Sequence, residues 1–223
     1  GDLLALGREL LSRNGLRDAC VYWQVSRGAE PGRSHLPQQE LQPTVFGCVD
    51  RTPPLSHCRT PTELQAALVE DQRWGRCDIK STNLLPNVLG KLDAAAAGAQ
   101  EVIFHRGGFI SEGASTSVLV VREGRLSTPP INDPERSILH GVTRRIVAGL
   151  PGVSLVEEPI SIESVRRADE VIICGTRTLL AAVTALDGSA IGNGRVGPRV
   201  RQLLALLVEH IAACGPSSRG AAL

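Results

Sequence analysis

One stretch, residues 78 to 117, constrains this chain more than any other. It reads DIKSTNLLPNVLGKLDAAAAGAQEVIFHRGGFISEGASTS. Leu84, Val88 and Leu92 recur at helical spacing, and Leu85 with Leu89 widens the apolar stripe, so a helix is predicted here. Ser81 or Thr82 is a candidate cap, Pro86 fits only the first turn, and Gly98 is a candidate stop. Glu101 to His105 is a short β-branched and aromatic run. Arg106-Gly107-Gly108 is a turn signal, and Phe109 starts a return strand. Lys80 opens the stretch, and Glu112 closes it among small hydroxyl residues. A strand–helix–hairpin unit of this length lets the amine and the carboxylate meet.

A lysine facing a carboxylate is what pyridoxal phosphate requires. The lysine forms an imine with the cofactor, and the acid faces the ring nitrogen and keeps the ring an electron sink. An isolated lysine is ordinarily a solvated surface residue. Here the whole ordered run, DIKSTNLLPNVLGK followed by EGASTS, resembles the fold-type IV pyridoxal-phosphate enzymes. These include branched-chain aminotransferases, aminodeoxychorismate lyase and D-amino acid aminotransferase. The resemblance is collinear over most of residues 16 to 208, with Ile191–Gly197 (IGNGRVG) inside it.

The resemblance implies a mixed α/β (α+β) fold of two domains with pyridoxal 5'-phosphate between them, in a homodimer. The domains expected are a small, incomplete α/β unit at residues 1–54, a linker at 55–68, a larger β-rich cofactor domain at 69–214 and a tail at 215–223. It implies that Lys80 is the catalytic residue. Lys80, Glu112, Ser115, Thr116, Leu139, Val142, Thr143, Gly175 and Thr176 would be the cofactor contacts. Of these, Gly141-Val142-Thr143 at a helix start, within a helical run expected from Ser137 to about Gly149, would bind the phosphate through free N–H groups. Thr176 would supply a second phosphate contact. Arg177 departs from the family's usual run of small hydroxyls in that turn.

The N-terminal part carries the subfamily signal. Ala19–Ser26 alternates as a strand, and a second strand is predicted over Pro43–Val49. Between them lies RGAEPGRSHLP, where Arg33 and His35 stand two apart and point the same way if extended. Such a pair suits a carboxylate. The segment resembles that of D-amino acid aminotransferases, in which an Arg and a His trap the substrate carboxylate from the partner subunit. The expected activity is therefore transamination between D-amino acids, such as D-alanine or D-glutamate, and 2-oxo acids. The alternatives are a branched-chain L-amino acid aminotransferase, an aminodeoxychorismate lyase-like enzyme, or a truncated, non-catalytic cofactor-binding relative. The family's N-terminal segment, which brings a tyrosine and an arginine to the site, has no matching stretch here. A fragment or a natural truncation is expected on that ground.

Composition excludes other classes. The formal net charge of +1 gives no polyanion-binding surface, so no nucleic-acid partner is expected. No apolar run reaches the length of a membrane span. The six cysteines form no C-x-x-C pair and the five histidines do not cluster with them. Reduced thiols, a cytoplasmic location and no metal site are the expectations. With only two Trp, one Tyr and three Phe, the core must be aliphatic.

Overall fold

The computed structural model describes residues 2–32, 34–36 and 40–214. The tail expected at 215–223 lies outside the described residues. The chain divides into two compact units, Gly1–His57 and Cys58–Leu223. The first holds helix α1 (Leu3–Arg13), capped by the Asp2 carboxylate on the Leu4 N–H, and an antiparallel pair, β1 (Ala19–Ser26) and β2 (Thr44–Arg51).

The second unit is built on a nine-stranded mixed sheet. Its strands are β3 (Thr62–Glu70), β4 (Glu101–Arg106), β5 (Phe109–Gly113), β6 (Ser117–Arg122), β7 (Arg125–Thr128), β8 (Leu155–Glu157), β9 (Glu170–Gly175), β10 (Leu179–Leu186) and β11 (Ser189–Ala190). The order is β5-β4-β3-β10-β9-β6-β7-β8, with β11 on β10. β5 ends that order, yet only Ala114–Thr116 separates it from β6, and the Gly113 N–H donates to the Thr116 carbonyl at 2.8 Å. The sheet must therefore curl until β5 approaches β6.

Period-two alternation fills both faces. Ala66, Ile103, Ile110, Val118, Val120, Val171, Ile173, Ala181 and Val183 pack into one buried cluster, joined by Val165 of helix α4 (Ile162–Arg166). On the other face, helices α3 (Val142–Ala148) and α5 (Pro198–Ala213) lie on β9 and β10. Glu170 fixes the start of α5 by accepting from the Arg199 and Val200 N–H groups at 2.8 and 2.9 Å.

Three sequence expectations change. The linker expected over 55–68 gives way at Thr62 to β3, which pairs in parallel with both β4 and β10. Its period is carried partly by alanines, Ala66 and Ala67, and that weakened the strand signal. The helix of the organising stretch, α2 (Leu85–Ala96), has no side-chain cap; the Ser81 hydroxyl instead accepts from the Asn83 N–H at 3.4 Å. Its apolar stripe also faces outward. Leu84, just before the helix, and Leu85, Val88, Leu89 and Leu92 on it are each about half exposed or more, whereas Gly90 and Ala94 are buried. A β-carbon on Gly90 would stand 2.5 Å from the Phe104 ring. The small residues thus let the helix approach β3 and β4 closely, and closeness rather than side-chain bulk fills that interface.

Candidate active site

After β3 the chain runs without regular structure to α2, and this segment carries Lys80. It borders a cavity of about 430 Å³ in the second unit. Glu112 and Gly113 of β5 line it, as do Ser115 and Thr116 of the following turn. Leu139 and Gly141 to Thr143 add the entry to α3, and Gly175 and Thr176 the end of β9. The fold thus brings Lys80, Glu112, Ser115, Thr116, Leu139, Val142, Thr143, Gly175 and Thr176 to one cavity. His35 lies in the first unit, exposed, inside a local loop closed by the Ser34 hydroxyl donating to the Leu36 carbonyl at 2.9 Å. Arg33 lies outside the described residues.

Lysine usage isolates Lys80 further. The chain has two lysines, Lys80 and Lys91, against a large excess of arginine. Lys91 is engaged, donating to the Gln100 carbonyl at 2.6 Å and meeting Glu101 at 3.3 Å. Among the described residues Lys80 has no hydrogen bond or ion pair. Composition narrows the candidates to two lysines, and the engagement of Lys91 separates them.

Glu112 is held from both sides. Its Oε1 accepts from Arg73 Nη1 at 2.7 Å and its Oε2 from the Leu139 N–H at 3.1 Å. Arg73 forks onto Asp71, with Nε and Nη2 each donating at 2.9 Å, and stacks over Phe104 at 4.6 Å. Arg106 approaches Asp71 at 3.5 Å and the Ser111 hydroxyl donates to it at 3.3 Å. Sequence reading missed Arg73. Its signal was the D-x-R spacing at the end of a strand, which suits a forked pair.

Burial works on every member of this group. It pushes the Glu112 carboxyl above the ordinary glutamate value, against the pull of Arg73 and the Leu139 N–H. Burial also opposes ionisation of Asp71, but the Arg73 guanidinium outweighs it and holds Asp71 below the usual range. Burial alone would lower Arg73; its two carboxylates raise it instead.

The part of the lining at the entry to α3 suits a phosphate ester. α3 starts at Val142 rather than Ser137, because Gly141 turns back through its N–H on the Leu139 carbonyl. No side chain caps α3, and helix geometry leaves its first N–H groups without internal partners. A β-carbon on Gly141 would come within 2.5 Å of Ser117 Oγ. Thr116 Oγ1 is buried with no hydrogen-bond partner among the described residues. An amine, a buried carboxylate held by Arg73, bare N–H groups and an orphaned hydroxyl around one cavity fit pyridoxal phosphate.

Comparison with known proteins agrees. Residues 2–186 match the family Amino-transferase class IV. The D-alanine aminotransferase of Staphylococcus haemolyticus is 37% identical over 209 residues, covering 91% of this chain and 71% of that protein. That of Listeria innocua is 35% identical over 218 residues, covering 96% and 74%. Among solved structures, a branched-chain amino acid aminotransferase from Escherichia coli superposes with a TM-score of 0.74 at 27% identity, over 90% of this chain and 67% of that one. One from Thermobaculum terrenum reaches 0.79 at 21% identity, over 96% and 71%, and shares the fold. The mixed α/β architecture with its curled sheet is that of the fold-type IV enzymes, and the chain belongs to the pyridoxal-phosphate-dependent class IV aminotransferases.

Proposed function

We propose that this chain transfers the amino group of D-amino acids such as D-alanine or D-glutamate to 2-oxo acids. The observation that carries the reading is the single cavity that gathers Lys80, Glu112 and the entry to α3 in a chain 37% identical to a D-alanine aminotransferase. Bound there, pyridoxal phosphate supplies an electron sink that makes the substrate Cα–H bond acidic.

The protein's groups divide the remaining tasks. Lys80 Nζ would take the proton from the substrate Cα and hold it for return, acting as base and then as acid. Glu112 would accept the ring N–H as a carboxylate, while Arg73 and the Leu139 N–H fix both its oxygens. The Val142 and Thr143 N–H groups and the Thr176 hydroxyl hold the phosphate. Leu139 packs against the ring, and Ser115, Thr116 and Gly175 close the wall. Arg33 and His35 grip the substrate carboxylate, and with it the hand of the substrate, in the site of a partner subunit. The outward apolar face of α2 favours a homodimer, since such a contiguous patch calls for cover. The proposed compartment is the cytoplasm, on the strength of cysteines that form no C-x-x-C pair. Among the described residues no helix is long and apolar enough to cross a membrane.

The test is the visible absorption spectrum of the purified chain with pyridoxal phosphate, before and after D-alanine or L-leucine. Conversion of the Lys80-linked band by D-alanine alone supports the reading. Conversion by L-leucine alone reverses the stereochemical assignment in favour of a branched-chain enzyme. A band that neither amino acid changes marks a cofactor binder.

A further inference from the structure

The Lys80 segment has no helix or strand of its own, so something else must set the position of its amine. Its polar attachments are few. The Asp78 N–H donates to Ser137 Oγ at 3.1 Å, and the Ser137 hydroxyl donates back to Asp78 Oδ1 at 3.1 Å. Arg76 forks onto the same carboxylate, Nε to Oδ1 at 2.9 Å and Nη2 to Oδ2 at 2.8 Å. Arg76 first, then the Ser137 hydroxyl, pulls the Asp78 carboxyl down to about 2, so it stays ionised in this contact.

The place of this reciprocal pair matters more than its strength. Asp78 stands two residues before Lys80. Ser137 stands two residues before Leu139, whose N–H holds Glu112 Oε2. Ile138, between them, is fully buried and anchors that strand of the clip. Two residues span at most about 7 Å of chain, so each path from the clip leaves little slack. The Ser137–Asp78 contact therefore registers the two groups toward one another, beside the Arg73–Glu112 bond that ties the start of the same segment.

We propose that Ser137 and Asp78, braced by Arg76, form a clip that positions Lys80 relative to Glu112, making Ser137 a positioning residue for the covalent capture of pyridoxal phosphate. The inference rests on the proposed role of Lys80. A displacement of about 1 Å in a reacting group can cost on the order of a hundredfold in rate, so even partial slackening is measurable.

The test compares wild type, Ser137→Ala and Ser137→Thr as purified apoproteins. Pyridoxal phosphate is added, the link is trapped with borohydride at intervals, and label on the Lys80 peptide is measured by mass spectrometry. Affinity for pyridoxamine phosphate, which cannot bond the lysine, is measured alongside. The clip predicts that Ser137→Ala labels Lys80 about tenfold more slowly while pyridoxamine phosphate affinity stays within about twofold, and that Ser137→Thr restores the rate. Labelling of Ser137→Ala at the wild-type rate overturns the proposal. So does a parallel loss of pyridoxamine phosphate affinity, which means a loosened cavity rather than a misplaced amine. Absence of label on wild-type Lys80 overturns the proposed role of Lys80 itself, and the clip with it.

Discussion

Arg73→Leu is the substitution whose cost follows most directly from the geometry. The Arg73, Glu112 and Asp71 side chains are 5%, 7% and 2% exposed, so water replaces the lost cation poorly. Asp71 would keep Arg106 and the Ser111 hydroxyl. Glu112 would keep only the Leu139 N–H. Removing one partner of a buried ion pair costs about 3–5 kcal/mol, and in a domain of this size that lowers the melting temperature by roughly 10 °C. The loss must also depend on pH. Burial already holds the Glu112 carboxyl above its ordinary value of 4.5, and removing Arg73 takes away a lowering influence. The folded variant then binds more protons than the unfolded chain between that value and the raised one. Its stability therefore falls as pH rises through that window. Asp71 acts in the same sense: its stabilising contribution, present above 3.8 and lost as pH falls through its depressed folded value, shrinks with the loss of Arg73. Urea unfolding of wild type and variant at pH 5 and pH 8 measures the difference. The deficit should be clearly larger at pH 8, and Glu112→Gln added to Arg73→Leu should recover about 2 kcal/mol there. A deficit below about 1 kcal/mol, or one equal at both pH values, would refute the account of the buried network.

Gly90→Ala gains about 1 kcal/mol of helix propensity but drives a methyl against the Phe104 ring, so a net loss of about 1–2 kcal/mol is expected by thermal unfolding. Thr116→Val replaces a buried hydroxyl that has no partner. The apoprotein should gain about 1 kcal/mol while its affinity for pyridoxal phosphate falls, measured by fluorescence titration. Lys80→Ala should keep the fold by circular dichroism and lose D-alanine-dependent conversion of the cofactor; retained turnover would remove Lys80 from the mechanism.

The legible parts of the sequence were those where one physical signal dominated. In the Glu123-Gly124 and Asp187-Gly188 turns both glycines adopt the positive φ that glycine accepts at no steric cost. Ser161 caps α4 by accepting from the Ser164 N–H at 3.1 Å. Lys80 and Glu112 were legible because one ordered stretch carried them together, whereas Leu139 to Thr143 and Gly175-Thr176 lie beyond it and were expected from the family resemblance alone. Less legible was the orientation of α2. Periodicity locates an apolar stripe but does not say whether a sheet or something outside the chain covers it, and here Gly90 and Ala94 took the inward place. β3 was obscured by its alanines. Arg73 escaped notice because its partner Glu112 is distant in sequence and the two meet only once β4 and β5 pair beside β3.

If a second copy covers the outward face of α2, as proposed, stability depends on concentration. Burying apolar surface yields about 25 cal/mol per Å², and any second surface that covers Leu85, Val88, Leu89 and Leu92 binds the folded chain and not the unfolded one. Mass action then raises the melting temperature with each increase in the covering species. For a chain that covers itself, dilution alone is a denaturing step, and an activity assay run at nanomolar protein samples a different population from a spectrum taken at high concentration.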